Sequence, residues 1–276
     1  MDQEIVKSVA NSSVLGKVYD DLLHPSVETL GKIVNLLPRT IGVLTQPWEK
    51  WVTKAEENVT RTLEEVNERA SKIPEQHFVE PSSRIFVSAI QQEAYCCDGA
   101  DLRKMYENLL VSTMDDRTAE YVHPSFVQIL KDLSPDEAKL LGTLVPTDDD
   151  DRPTIPLVDL RVVFNATDFG AEGIASLFQW KVVVEGYNEC CEGVCEHPEQ
   201  SLVYLGNLER LGILEHCDHY KDSDKEQFLA FESSAFIAEA KGKAELKDGE
   251  KFEFQRWCYQ VTDFGLNFIK VCVSQA

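Results

Sequence analysis

The chain has 276 residues, 43% hydrophobic and 27% charged, ordinary globular values that exclude wholesale disorder and allow one large domain or two smaller ones. Its 48 Asp and Glu against 27 Lys and Arg give a net charge of −21, which repels phosphate backbones and counts against a nucleic-acid partner. No apolar stretch reaches the roughly 18 residues of a membrane span before a charge or a proline interrupts it. The first residues lack a basic segment leading into an apolar one, and the eight Cys, with Cys96-Cys97 and Cys190-Cys191 adjacent, form no spaced disulfide framework. Reduced thiols and a cytoplasmic location are therefore expected.

The first stretch predicts helices with breaks. Val18, Leu22, Leu23, Val27, Leu30, Ile33, Val34 and Leu37 recur at three- and four-residue steps, interrupted by His24-Pro25. Val52, Ala55, Val59, Leu63, Val66, Ala70 and Ile73 then mark a long amphipathic helix ended by Pro74. A second helical block starts at Ile85, Val87, Ala89 and Ile90, is divided near Gly99, and continues through Leu102, Met105, Tyr106, Leu109, Leu110 and Thr113. His123-Pro124-Ser125 opens a short helix with Phe126, Ile129 and Leu130. Ser134-Pro135-Asp136-Glu137 is a helix start on four counts: a capping hydroxyl, a proline suited to the first turn, and two acids at the positive helix end, the second completing a capping box.

After Thr147 the pattern changes. The acidic run Asp148 to Asp151 lies between Pro146 and Pro153 and predicts an exposed turn. Leu157 to Phe164 and Trp180 to Val184 predict strands, and Pro198 to Leu211 a helix stopped by Gly212. Phe228 to Ala240 predicts another helix, Lys247 to Glu250 a turn, Phe252 to Val261 strand, and Thr262 onwards a last helix. The fold class expected is α+β and predominantly helical. A helical part over 1–146 precedes a mixed α/β part over 153–276 with a winged-helix-like end.

A series of short motifs runs in order through most of the chain: Val18-Tyr19-Asp20-Asp21-Leu22-Leu23-His24-Pro25; Ile73-Pro74; Val79-Glu80-Pro81; Glu107-Asn108-Leu109-Leu110; Val122-His123-Pro124-Ser125-Phe126; Leu133 to Ala138; Glu196-His197-Pro198-Glu199; Asn207 to Ile213; and Val261-Thr262-Asp263-Phe264-Gly265. In this series the chain resembles the Abi-alpha family of bacterial abortive-infection proteins. The resemblance implies a part in phage defence and carries over no catalytic residue, because the motifs read as caps, turns and core positions. The partner it implies is a protein, from the phage or from a co-encoded defence system, and a homo-oligomer is compatible with it.

Three groups of residues are candidates for a functional role. Cys190, Cys191, Cys195 and His197 precede the 202–211 helix, and His216, Cys217 and His219 follow it. Two such clusters separated by a loop suit tetrahedral zinc, although neither has the regular C-x-x-C form and free thiols explain them better. Arg117 and His123 have the spacing of HEPN ribonucleases, in which the pair stabilises and protonates a scissile phosphate; a turn arginine and a histidine before proline account for them far better. Gly31 to Trp51, with Trp48 and Trp51, reads as an interfacial hairpin or as one buried on the neighbouring helix. Its few cations, Lys32, Arg39 and Lys50, disfavour the membrane. No Walker, Rossmann, nucleophile-elbow or H-E-x-x-H signature occurs, so the expectation is a non-enzymatic sensor or regulator that needs no cofactor. The alternative is a toxic effector of the membrane or of RNA.

Overall fold

The computed structural model describes residues 58–96, 99–148, 152–164, 180–218 and 220–274. The expectations for Val18 to Leu37, for Gly31 to Trp51 and for the first residues of the helix from Val52 lie outside them. In chain order the helices and strands are α1 (58–70), α2 (Ser83–Cys96), α3 (Ala100–Ser112), α4 (Asp116–Ala119), α5 (Phe126–Asp132), α6 (Pro135–Thr143), β1 (Thr154–Phe164), β2 (Lys181–Tyr187), α7 (Ser201–Arg210), β3 (Leu214–Cys217), α8 (Lys225–Glu232), α9 (Ala235–Lys243), β4 (Glu250–Val261) and α10 (Asp263–Phe268). They make an α+β fold of two compact units: of the described residues, 58–138 with 267–274 form the first and those between 139 and 266 the second.

The first unit is helical. Along α1 the buried positions are Val59, Thr62, Val66 and Ala70, the three- and four-residue steps of one helix face. Thr62 interrupts the apolar stripe for a reason: its hydroxyl donates to the buried Glu93 carboxylate of α2 at 2.9 Å. The α3 stripe Leu102, Met105, Tyr106, Leu109 and Leu110 is buried as its spacing requires, and Phe86 of α2, which the periodicity did not single out, joins it. The chain end completes this core. After α10 a π-helical turn, Ile269–Val273, shifts the ladder by one residue. Side chains of α3 take up its carbonyls, with Asn108 Nδ2 donating to Cys272 O at 2.7 Å and Ser112 Oγ to Val271 O at 3.1 Å. Phe268 meets Phe126 edge to face, ring centres 5.2 Å apart.

The capping box at α6 forms as its sequence requires: Ser134 N–H donates to Glu137 Oε2 at 2.6 Å and Glu137 N–H to Ser134 Oγ at 3.3 Å.

The second unit is built on a four-stranded antiparallel sheet of order β2-β1-β4-β3. β1 and β4 pair along their whole length, from Thr154 opposite Gln260 to Phe164 opposite Glu250. Val158 of β1 packs with Phe228 and Phe231 of α8, with Tyr187, Tyr220 and Phe254 around them. The sheet, rather than a terminal strand pair, organises this unit, and its strand order does not establish a winged helix. β3 was not legible as a strand. Its four residues follow directly on the α7 stop and are held by pairing with β4, Leu214 opposite Val261 and Cys217 opposite Cys258. The single helix expected over 228–240 is two, because Ser234 leaves helical geometry and its hydroxyl accepts from Ile237 N–H at 3.3 Å, capping α9. On α7 the buried face is Tyr204, Leu205 and Leu208, while Leu202 is exposed. Gly212, at φ 76°, ends that helix with two closing bonds, Gly212 N–H to Glu209 O at 2.9 Å and Ile213 N–H to Leu208 O at 3.0 Å.

Candidate functional site

Arg117 stands in the first turn of α4, whose N-cap is Asp115. That carboxylate accepts from Arg117 N–H at 3.0 Å, Arg117 Nε at 2.8 Å and Arg117 Nη2 at 2.5 Å. The guanidinium holds the Asp115 carboxyl below its ordinary range, chiefly by the side-chain hydrogen bond and against the opposing effect of burial. His77 Nδ1 lies 2.9 Å from Asp116 Oδ1, beside the same turn. His123 meets Ser125. Its Nδ1 is 2.5 Å from Ser125 Oγ and accepts from Ser125 N–H at 3.2 Å, so the proton of the neutral ring is on Nε2. The clamp takes one edge of a guanidinium whose side chain is 55% exposed, and it builds the helix start while the rest of the group stays in solvent.

The candidate thiols fall into two places. Cys190 and Cys191 lie in the turn after β2, their sulfurs 3.7 Å apart, with Cys190 Sγ 2.9 Å from Asn188 Oδ1. Cys195 N–H closes that turn on Cys191 O at 3.0 Å. His197 Nδ1 is 3.4 Å from Glu199. On β3, His216 stacks on Trp257 with ring centres 5.0 Å apart, and Cys217 faces the buried Cys258, whose thiol burial pushes up to about 12. Among the described residues no group of three or more His, Cys, Asp or Glu is placed to hold a metal ion. His219 lies outside them.

Sequence reasoning missed the polar hub of the sheet. Asp159 of β1 is buried within the apolar run Leu157, Val158, Leu160, and an acid in such a run was the available signal. Its Oδ1 accepts from Gly186 N–H at 2.8 Å and Trp257 Nε1 at 3.0 Å, and its Oδ2 from Arg161 Nη2 at 2.7 Å. Arg161 in turn lies 5.4 Å over the ring of Trp180, which is 52% exposed. An open concavity of about 580 Å³ runs from Arg161 and Trp180 to Tyr220, Phe254 and the Glu232–Arg256 pair, whose Nε···Oε1 distance is 2.6 Å. A second, of about 440 Å³, lies between β2 and α9, lined by Lys181, Val182, Val184, Phe236, Ala240 and Lys243. Every large apolar side chain that is exposed among the described residues belongs to the second unit: Val145, Trp180, Val182, Leu202, Val203, Leu229, Phe236 and Leu246.

A family model described as abortive infection alpha matches residues 54–272. Among solved structures, the chain is similar to an uncharacterized protein from the hydrocarbon-degrading marine bacterium Alcanivorax borkumensis SK2. The two are 15% identical with a TM-score of 0.30, over 56% of this chain and 94% of that one. A search of curated proteins finds no match.

Proposed function

The chain belongs to the abortive infection alpha family of phage-defence proteins, and from that premise we propose that it acts through contacts with other proteins, as a sensor or regulator without enzymatic activity. The observation that carries this reading is that, among the described residues, the large apolar side chains left exposed all lie on the sheet-bearing unit, led by Val203 at 66% and Leu229 at 59%. Apolar surface left in water is a cost that a binding partner relieves. Arg117 is paired with Asp115 and His123 Nδ1 with Ser125, contacts that build local turns. Among the described residues no helix is long and apolar enough to cross a membrane, and the Gly31 to Trp51 region lies outside them.

Inducible expression in a phage-sensitive host separates a sensor from an effector. A sensor is tolerated at full induction and stops growth only after infection. Arrest without phage that is relieved by His123→Ala would replace this reading with an RNA-directed effector.

A further inference from the structure

Cys217 ends β3 and lies directly opposite Cys258 of β4. Opposed residues of antiparallel strands send their side chains to the same face of the sheet, with Cα atoms about 4.5 to 5.5 Å apart. Disulfides span Cα separations of roughly 4.4–6.8 Å, so the strand pairing already supplies the separation that a bridge needs. The two residues touch: the Cys258 thiol donates to Cys217 O at 3.4 Å and meets the Cys217 thiol. Cys258 is fully buried, whereas Cys217 is partly exposed. Cys190 and Cys191 also bring their sulfurs to 3.7 Å, but they are chain neighbours, and Cα atoms about 3.8 Å apart fall short of that span.

We propose that Cys217 and Cys258 are a reversible oxidation site, at which hydrogen peroxide converts the two thiols into a cross-strand disulfide. The order of events follows exposure. The Cys217 sulfur, which solvent reaches, attacks a peroxide oxygen as the thiolate. The O–O bond breaks, Cys217 becomes a sulfenic acid, and the departing hydroxide takes up the thiol proton as water. Cys258 then attacks the sulfenic sulfur: the S–S bond forms, the S–O bond breaks, and the hydroxyl leaves with the Cys258 proton as a second water. Two thiols are oxidised and one peroxide is reduced to two waters. Burial keeps the Cys258 thiol protonated, so it is the resolving group and not the first nucleophile, and its contact with Cys217 holds it in place for that step. The product ties down β3, an outer strand of four residues that pairs, among the described residues, only with β4. It closes a loop of about forty residues that carries α8 and α9. This site is independent of the sensor reading: an enzyme or a toxin with the same strand pair would oxidise in the same way.

Treatment of the full chain with sub-millimolar hydrogen peroxide tests it, followed by blocking of the remaining thiols, digestion without reductant and mass spectrometry. The expected product is a linked peptide pair joining Cys217 to Cys258, lighter by two hydrogens than the two thiol peptides and split by dithiothreitol. The thermal midpoint rises on oxidation and returns on reduction, because the link restricts the unfolded chain. Cys217→Ser, at the more exposed position, melts with wild type in reductant and loses both responses to peroxide. Cys190→Ser keeps both. Absence of the linked pair, a Cys190–Cys191 disulfide formed in its place, a midpoint unchanged or lowered by oxidation, or a Cys217→Ser protein whose midpoint still rises with peroxide would each overturn the proposal.

Discussion

Asp115 shows how much a single carboxylate can organise. It caps α4, accepts the backbone N–H of Arg117 and clamps its guanidinium. Asp115→Ala removes the cap and is expected to cost about 1 kcal/mol in chemical denaturation. The pH dependence has a definite sign. The folded carboxyl is held below its unfolded value, so its contribution is fully present above that value and is lost as pH falls through the lower folded one. Wild type and Asp115→Ala therefore differ in midpoint at neutral pH and converge in acid below the ordinary carboxylate range; a gap that persists there would mean that charge is not what Asp115 supplies. At this scale legibility follows sequence distance. Ser134 and Glu137 could be paired on sight because they are three residues apart, whereas Asp159 finds Trp257 ninety-eight residues away and Asn108 finds Cys272 at a separation of 164. Local chemistry identifies such residues only as buried polar groups in search of partners.

Elements that close on themselves were the legible ones. The α7 stop at Gly212, the α6 start and the α3 stripe each rest on periodicity or capping within about ten residues. β3 and the break between α8 and α9 were not, because a four-residue strand acquires its identity from β4 and a mid-helix serine pair caps only if the chain must turn there. Gly212→Ala gives a direct test at this scale. A side chain at φ 76° meets the steric cost of left-handed geometry, roughly 1–2 kcal/mol, and the two closing bonds from Gly212 and Ile213 are strained with it. Thermal unfolding should fall correspondingly, while Gly206→Ala in the middle of α7, where an added Cβ meets nothing within 4 Å, should leave stability unchanged or raised. Equal losses at both positions would show that the cap is not specific.

At the scale of the whole molecule, the family membership carries the part in phage defence, and the exposed apolar side chains of the second unit are the surface on which the proposed protein contacts are tested. The sequence made the family and the charge readable. Which apolar residues would remain in water was not readable, since Leu202 and Leu208 look alike on a helical stripe and only the sheet beneath decides which is covered. The most direct test of action by contact rather than by chemistry is phage plating efficiency on cells expressing matched levels of three forms. These are wild type, Val203→Lys/Leu229→Lys, and Arg117→Ala/His123→Ala. The lysine pair changes exposed positions at little expected cost in folding, so protection should drop at least tenfold while the thermal midpoint holds. The alanine pair should protect as wild type does. Loss of protection in the alanine pair, with the lysine pair fully active, would contradict the account.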